Sequence, residues 1–194
     1  MKQKKILIIN GHPDKKSFNF GLTEAYMKGA QASSAEIDAI QISNLDFNPN
    51  LQFGYRKRTE LEPDLLNAIE KIKAADHLVW VFPMWWYGYP ALMKGFVDRV
   101  FLPGITFDYV PGKAFPKQLL KGKTGRIIIT ADTPQWYTNL YLKNPAINQF
   151  KKGTLQFCGI KPVRVSYISP IKDSSEAFRA KWISKIEQLG FENK

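Results

Sequence analysis

Five short, apolar, β-rich runs, at Lys5–Asn10, Glu36–Ile42, His77–Phe82, Arg126–Thr130 and Val163–Ile168, are each separated from the next by enough chain for a helix. No other feature constrains the fold as strongly. Strands that alternate with helices pack as a parallel sheet covered on both faces, and right-handed crossovers leave few ways to order it. The helical period is legible between the strands: Phe18, Leu22, Ala25, Tyr26 and Gly29 share a face, as do Leu65, Ile69 and Ile72, and Phe178, Trp182, Ile186 and Leu189. The spacing predicts an α/β, three-layer, doubly wound domain with a five-stranded parallel sheet in the order 2-1-3-4-5. At 194 residues a single domain over 1–194 is the economical reading.

Two stretches interrupt the alternation. Asn44–Pro63 carries Pro49, Gly54 and the basic run Arg56-Lys57-Arg58, and reads as a long surface loop before the next helix; Pro103–Gly122 is punctuated by Pro111-Gly112 and Pro116. Loops of this length in a compact domain are usually lids or contact surfaces. No repeat and no linker composition is present.

Charge and cysteine usage exclude several classes. The net charge of +11 raises the question of nucleic acid, but the basic residues are scattered, with no zinc spacing and no recognition motif between them, so no nucleic-acid partner is expected. The single Cys158 forbids an intramolecular disulfide and reads as a core thiol in a reducing compartment. No apolar run approaches the roughly 20 residues that span a bilayer. The expectation is a cytoplasmic protein without membrane insertion.

The first strand runs into Asn10-Gly11-His12-Pro13-Asp14-Lys15-Lys16-Ser17-Phe18-Asn19. Ser17 is placed to cap the following helix, and the helix N-terminus beyond it, with free N–H groups and a positive dipole end, favours an anion. Ser17 is either a cap alone or a cap and a phosphate ligand, and His12 either a bonded loop residue or a donor to the same group. The turn has neither the Gly-x-Gly-x-x-Gly of dinucleotide folds nor the Gly-Lys-Ser/Thr of nucleotide hydrolases. Two distant histidines and one cysteine make no metal constellation, and no Ser-His-Asp set stands out. The missing acid and base machinery points to chemistry supplied by a cofactor.

After the third strand comes Pro83-Met84-Trp85-Trp86-Tyr87-Gly88-Tyr89-Pro90, a stiff loop with four aromatic residues, and then a helical pattern in which Leu92, Phe96, Val97 and Val100 share a side. A ring-lined loop between strand and helix is where open α/β sheets hold ligands, and it suits a flat one.

These two blocks, Gly11-His12-Pro13 with Ser17-Phe18-Asn19 and Pro83 to Phe96 continuing through Asp98-Arg99-Val100-Phe101, resemble the NAD(P)H quinone oxidoreductase family, which has a flavodoxin-like fold. Phe157-Cys158-Gly159 resembles a further family segment before the fifth strand. The resemblance implies a bound flavin, FAD or FMN, in a homodimer, reduced by NADH or NADPH and reoxidised by a quinone or by a nitro or azo compound in a ping-pong cycle. It implies that His12, Ser17, Phe18 and Asn19 hold the phosphate side. Pro83, Met84, Trp85, Trp86 and Tyr87 would lie along the isoalloxazine and ribityl chain. The Ser17-Phe18-Asn19 signature, shared with FAD-binding relatives, favours FAD.

The fourth strand departs from the family pattern, with Thr130-Ala131-Asp132-Thr133 where Thr-Thr-Gly-Gly is expected. Thr130, Ala131 and Asp132 are still expected at the flavin, with Asp132 turned to orient the loop. Tyr137 falls near the family tyrosine that stabilises charge during hydride transfer and is the catalytic candidate, although its histidine partner is missing. A regulatory flavoprotein docked on a membrane transporter, such as a potassium efflux system, is the alternative on the same fold. The resemblance also predicts that Trp86→Ala loosens flavin retention and that Phe101→Ala costs stability.

Overall fold

The computed structural model describes residues 3–194. Five parallel strands, β1 (Lys5–Asn10), β2 (Glu36–Gln41), β3 (His77–Pro83), β4 (Thr124–Thr130) and β5 (Val163–Ile168), form one sheet in the order β2-β1-β3-β4-β5. This is the expected order. Register across the middle runs Ile8 to Val79, Val79 to Arg126 and Arg126 to Arg164. The central strand is buried along its whole length, which is why its sequence is a continuous apolar run without alternation.

Helices α1 (Phe18–Ala32), α2 (Pro63–Ala74), α3 (Ala91–Val100), α4 (Gln135–Leu140) and α5 (Glu176–Phe191) cover the sheet, joined by a π-type helix at Asn148–Gln156. One face is closed by α1 and α5 over Ile6, Ile8, Val79, Val81, Ile128 and Ile168. The two helices approach closely enough that a Cβ at Gly29 would lie 1.8 Å from the Glu187 carbonyl oxygen, and one at Gly190 2.2 Å from that of Tyr26. Only glycine fits at either place. Each helix starts on a serine: Ser17 Oγ accepts the Phe20 N–H, and Ser175 Oγ accepts that of Phe178.

The other face packs α2, α3 and the π-type helix around an aromatic cluster. Phe150 lies 4.8 Å from the Trp80 ring centroid, edge-on, and Tyr89 5.3 Å from Phe150, so the last aromatic of the loop after β3 is a core residue. Phe101, also buried, stands 6.0 Å from Trp80.

The segment between β2 and α2 is irregular, as expected, but it is not a free surface loop. It opens with a single turn at Ile42–Asn44, and Leu45, Phe47 and Leu61 pack against the core. Arg99, with a fully buried side chain, bonds the carbonyl oxygens of Asn48 and Glu60 and meets the Glu62 carboxylate at 2.7 Å. Pro49 fills the space where Gly95 has no side chain. The loop is therefore strapped down by α3. The second long stretch, after α3, folds back as a small antiparallel ribbon pairing Phe107–Asp108 with Lys117–Gln118.

Candidate functional site

The carboxyl ends of β1, β3 and β4 meet at one edge of the molecule, where β1 leads to α1 on one face and β3 to α3 on the other. Connections that leave in opposite directions open a crevice between them. Here the crevice is a cleft lined by His12, Ser17, Phe18, Asn19, Pro83, Met84, Trp85, Thr130, Ala131, Asp132 and Ile171. Its empty volume of about 490 Å³, counting the open mouth, lies within the range of small-molecule sites. Three segments far apart in sequence are thus brought to one place.

The β1 turn is built by its own side chains. Asn10 Oδ1 accepts the His12 N–H at 2.9 Å, and His12 Nδ1 accepts that of Asp14 at 3.0 Å. With Nδ1 occupied as an acceptor, the neutral imidazole carries its proton on Nε2. Burial holds the His12 pKa below the ordinary histidine value against the pull of Asp14. The ring is a neutral donor at neutral pH. Its edge meets Trp85 at 5.7 Å between centroids, joining the two walls of the cleft.

At the start of α1 the N–H groups of Phe18 and Asn19 have no acceptor inside the helix. Ser17 Oγ accepts from Phe20, leaving its hydroxyl proton to donate elsewhere. Asn19 is 3% exposed; its Oδ1 accepts from Thr130 Oγ1 at 2.9 Å, and its Nδ2 has no partner. The bond from β4 decides which way the amide faces. Two free backbone donors, a hydroxyl and an orphaned amide N–H therefore sit at one end of the cleft, a set suited to phosphate or polyol oxygens. Arg179, 5.7 Å from the Phe18 ring centroid, brings a cation to the same side.

The β3 loop forms the facing wall. Met84 N–H donates to the Thr130 carbonyl at 2.7 Å, tying this loop to β4. Trp85 and Gly88 exchange backbone bonds of 3.0 and 2.9 Å around a two-residue turn whose central residues, Trp86 and Tyr87, have φ of 49° and 57°. Turns of this kind prefer Asn-Gly; bulky side chains in the left-handed region cost about 1–2 kcal/mol each. Trp86 is 98% exposed, and neither it nor Tyr87 lines the cleft within one chain.

On the β4 side, Thr130, Ala131 and Asp132 all reach the cleft. The Ala131 N–H and carbonyl are used by Ile168 and Ile171, and Asp132 Oδ1 accepts the Lys172 N–H at 2.6 Å. The carboxylate thus orients the loop after β5. Tyr137 is outside the cleft: it lies on α4, stacked on Tyr141 at 5.3 Å, and is 37% exposed.

Sequence reasoning missed four contributors. Asn10, directly after β1, shapes the turn, and its position alone could have flagged it. Ile171 and Lys172 arrive from the loop after β5, which carries no motif. Tyr167, buried on β5, donates to the Thr133 carbonyl at 2.9 Å and bonds Thr138 Oγ1 at 3.0 Å, fixing the start of α4. Among the described residues, no group of three His, Cys, Asp or Glu could hold a metal ion, and no helix is long and apolar enough to cross a membrane.

Comparison with known proteins agrees with this geometry. The family model for the flavodoxin-like fold matches residues 4–189. The chain is 27% identical to a mouse protein named ribosyldihydronicotinamide dehydrogenase (quinone), covering 97% of this chain and 93% of that protein. Among solved structures, Smu.1420 of Streptococcus mutans UA159 superposes with a TM-score of 0.84 at 27% identity, over 97% of this chain and 99% of that one. An FMN-dependent NADH-azoreductase of Bacillus anthracis Ames Ancestor, in complex with FMN, superposes with a TM-score of 0.74 at 18% identity, over 98% and 99%.

Proposed function

This chain belongs to the flavodoxin-like fold family, and from that premise we propose that it is a flavin-dependent oxidoreductase moving a hydride from a dihydronicotinamide to a quinone-type acceptor. The observation that carries the reading is the orphaned Asn19 amide beside the free N–H groups of α1, across the cleft from Trp85 and Met84. One end of the cleft offers donors for phosphate and hydroxyl oxygens, and the other offers flat apolar surface. A flavin has this polarity. Ser17, Phe18, Asn19 and the Nε2–H of His12 would hold its phosphate and ribityl end; Pro83, Met84, Trp85 and the Thr130–Asp132 turn would flank its ring.

A bound flavin supplies reversible two-electron chemistry, which this chain's own side chains lack. The residues bind, orient and exclude water. In the overall reaction the donor loses a hydride, the acceptor gains two electrons and two protons, and one proton comes from solvent. Both substrates would use the same face of the cleft in turn, hence a ping-pong cycle. The preference for FAD read from Ser17-Phe18-Asn19 gains nothing from the similar proteins, since the flavin named among them is FMN; the donor set described here serves the part common to both.

The homodimer belongs to the same proposal. Trp86, on the strained turn, and Trp136 and Tyr141, on α4 and at its end, stand 98%, 60% and 70% exposed, and exposed aromatics of this kind are surface that a second subunit covers. A partner there would complete the open side of the cleft. The test is steady-state reduction of benzoquinone with NADH, NADPH and dihydronicotinamide riboside, each over a range of acceptor concentrations. Parallel double-reciprocal lines are expected. A flavin-loaded protein without turnover would overturn the enzymatic reading and leave the transporter-docked regulator in its place.

A further inference from the structure

At the opposite end of the sheet from the cleft, the first residues of β3, β4 and β5 border a second cavity of about 490 Å³, counting its mouth. Its lining includes Lys4, His77, Thr124, Arg164, Asn193 and Lys194. Nothing in the proposed flavin chemistry uses them.

Three observations set this cavity apart. First, His77 is 2% exposed, its Nδ1 lies 2.6 Å from Thr124 Oγ1, and its Nε2 is buried without a partner. His77 lines the cavity, and a buried polar atom that bonds nothing calls for a partner. Second, the cations outnumber the anions. Lys4, Arg126, Arg164 and Lys194 gather here, against the carboxylates of Asp76, which acts on Lys4, and Glu192, which pairs with Lys194 at 2.7 Å. Third, two of the positive groups are held in place by neutral oxygen atoms, and Arg164 has no carboxylate partner among the described residues. Lys4 Nζ donates to the Asn193 carbonyl at 2.7 Å, and Arg126 bonds Ser166 Oγ at 2.8 Å and the Lys194 carbonyl. Arg164, exposed at the rim, makes no hydrogen bond or ion pair among the described residues.

The geometry points to a second binding site here, one for a phosphate-type oxyanion. A tetrahedral oxyanion accepts from several directions at once, and so can take the guanidinium fork of Arg164, the Lys4 ammonium and the Nε2–H of His77 together. Binding would leave the neutral Thr124–His77 pair intact. The occupant is either free phosphate or the phosphoryl group of a larger molecule, and the site does not rest on the flavin reading, since it shares no residue with the cleft.

The chain has only two histidines, one at each site, so their ring signals in proton NMR report the two sites separately. Inorganic phosphate is titrated into the protein as purified, with potassium chloride holding ionic strength constant. The His77 signals should move saturably, and Arg164→Gln should raise the half-saturating concentration about tenfold, the loss of one charge-assisted pair. Lys4→Gln should act in the same direction. Tighter saturation by 5′-AMP than by phosphate assigns a phosphate ester as the occupant; the reverse assigns the free ion. Equal movement of His77 in chloride alone, or an unchanged midpoint in both folded variants, would overturn the site.

Discussion

At the scale of single residues, Asn19 and His77 illustrate opposite uses of a buried polar group. Asn19, which lines the cleft, is held by Thr130 through Oδ1, and its buried Nδ2 is left unpaired. Replacing it by Leu removes the orphan but also the acceptor of the buried Thr130 hydroxyl, so stability should fall by about 1–3 kcal/mol while flavin affinity falls about tenfold or more, one polar contact to a bound group. Denaturant unfolding and flavin titration of the same variant check both halves. His77 is kept neutral instead. Burial first, then the charges of Lys4, Arg126 and Arg164, push its pKa down to about 3. A pKa depressed on folding leaves stability complete above the unfolded value of about 6.5 and withdraws it as the pH falls toward the folded value. The contribution is at most about 5 kcal/mol. In a buffer free of phosphate, His77→Phe should flatten the fall in stability between pH 6.5 and 3; a fall as steep as in the wild type would reject this assignment.

At the scale of elements, the instructive case is the segment between β2 and α2. Arg99 bonds two of its carbonyl oxygens and Glu62, all from a position at the end of α3. Arg99→Met should leave Glu62 without its cationic partner and cost about 3 kcal/mol, with the segment becoming the first site of limited proteolysis. Cleavage elsewhere first would contradict the strap. This strap was not legible in the sequence, because a buried arginine in a helical pattern looks like any surface arginine until its long-range partners are known. The sheet was legible. Five apolar runs and their helical spacers carry its strand order, since β3, buried on both faces, has to be apolar throughout. The cleft divides the same way: Ser17 and Asn19 follow from the N-terminus of a helix after a strand, whereas the turning of Asp132 toward Lys172 depends on a contact made only when β4 and β5 are side by side. Trp86, expected against the ligand, faces outward because the turn it occupies lifts it off the cleft.

At the scale of the whole molecule, the sheet separates two ends of different chemistry. The carboxyl end gathers neutral donors and aromatic surface from three loops; the amino end gathers cations under the α1/α5 layer. The central claim is that this cleft holds a flavin, and the visible absorption spectrum of the purified protein, read before and after anaerobic addition of NADPH, tests it most directly. The predicted result is the two-band spectrum of an oxidised flavin in a one-to-one ratio with the chain, bleached by the donor and weakened in Asn19→Leu. A colourless protein that acquires no such spectrum when incubated with FMN or FAD would contradict the account.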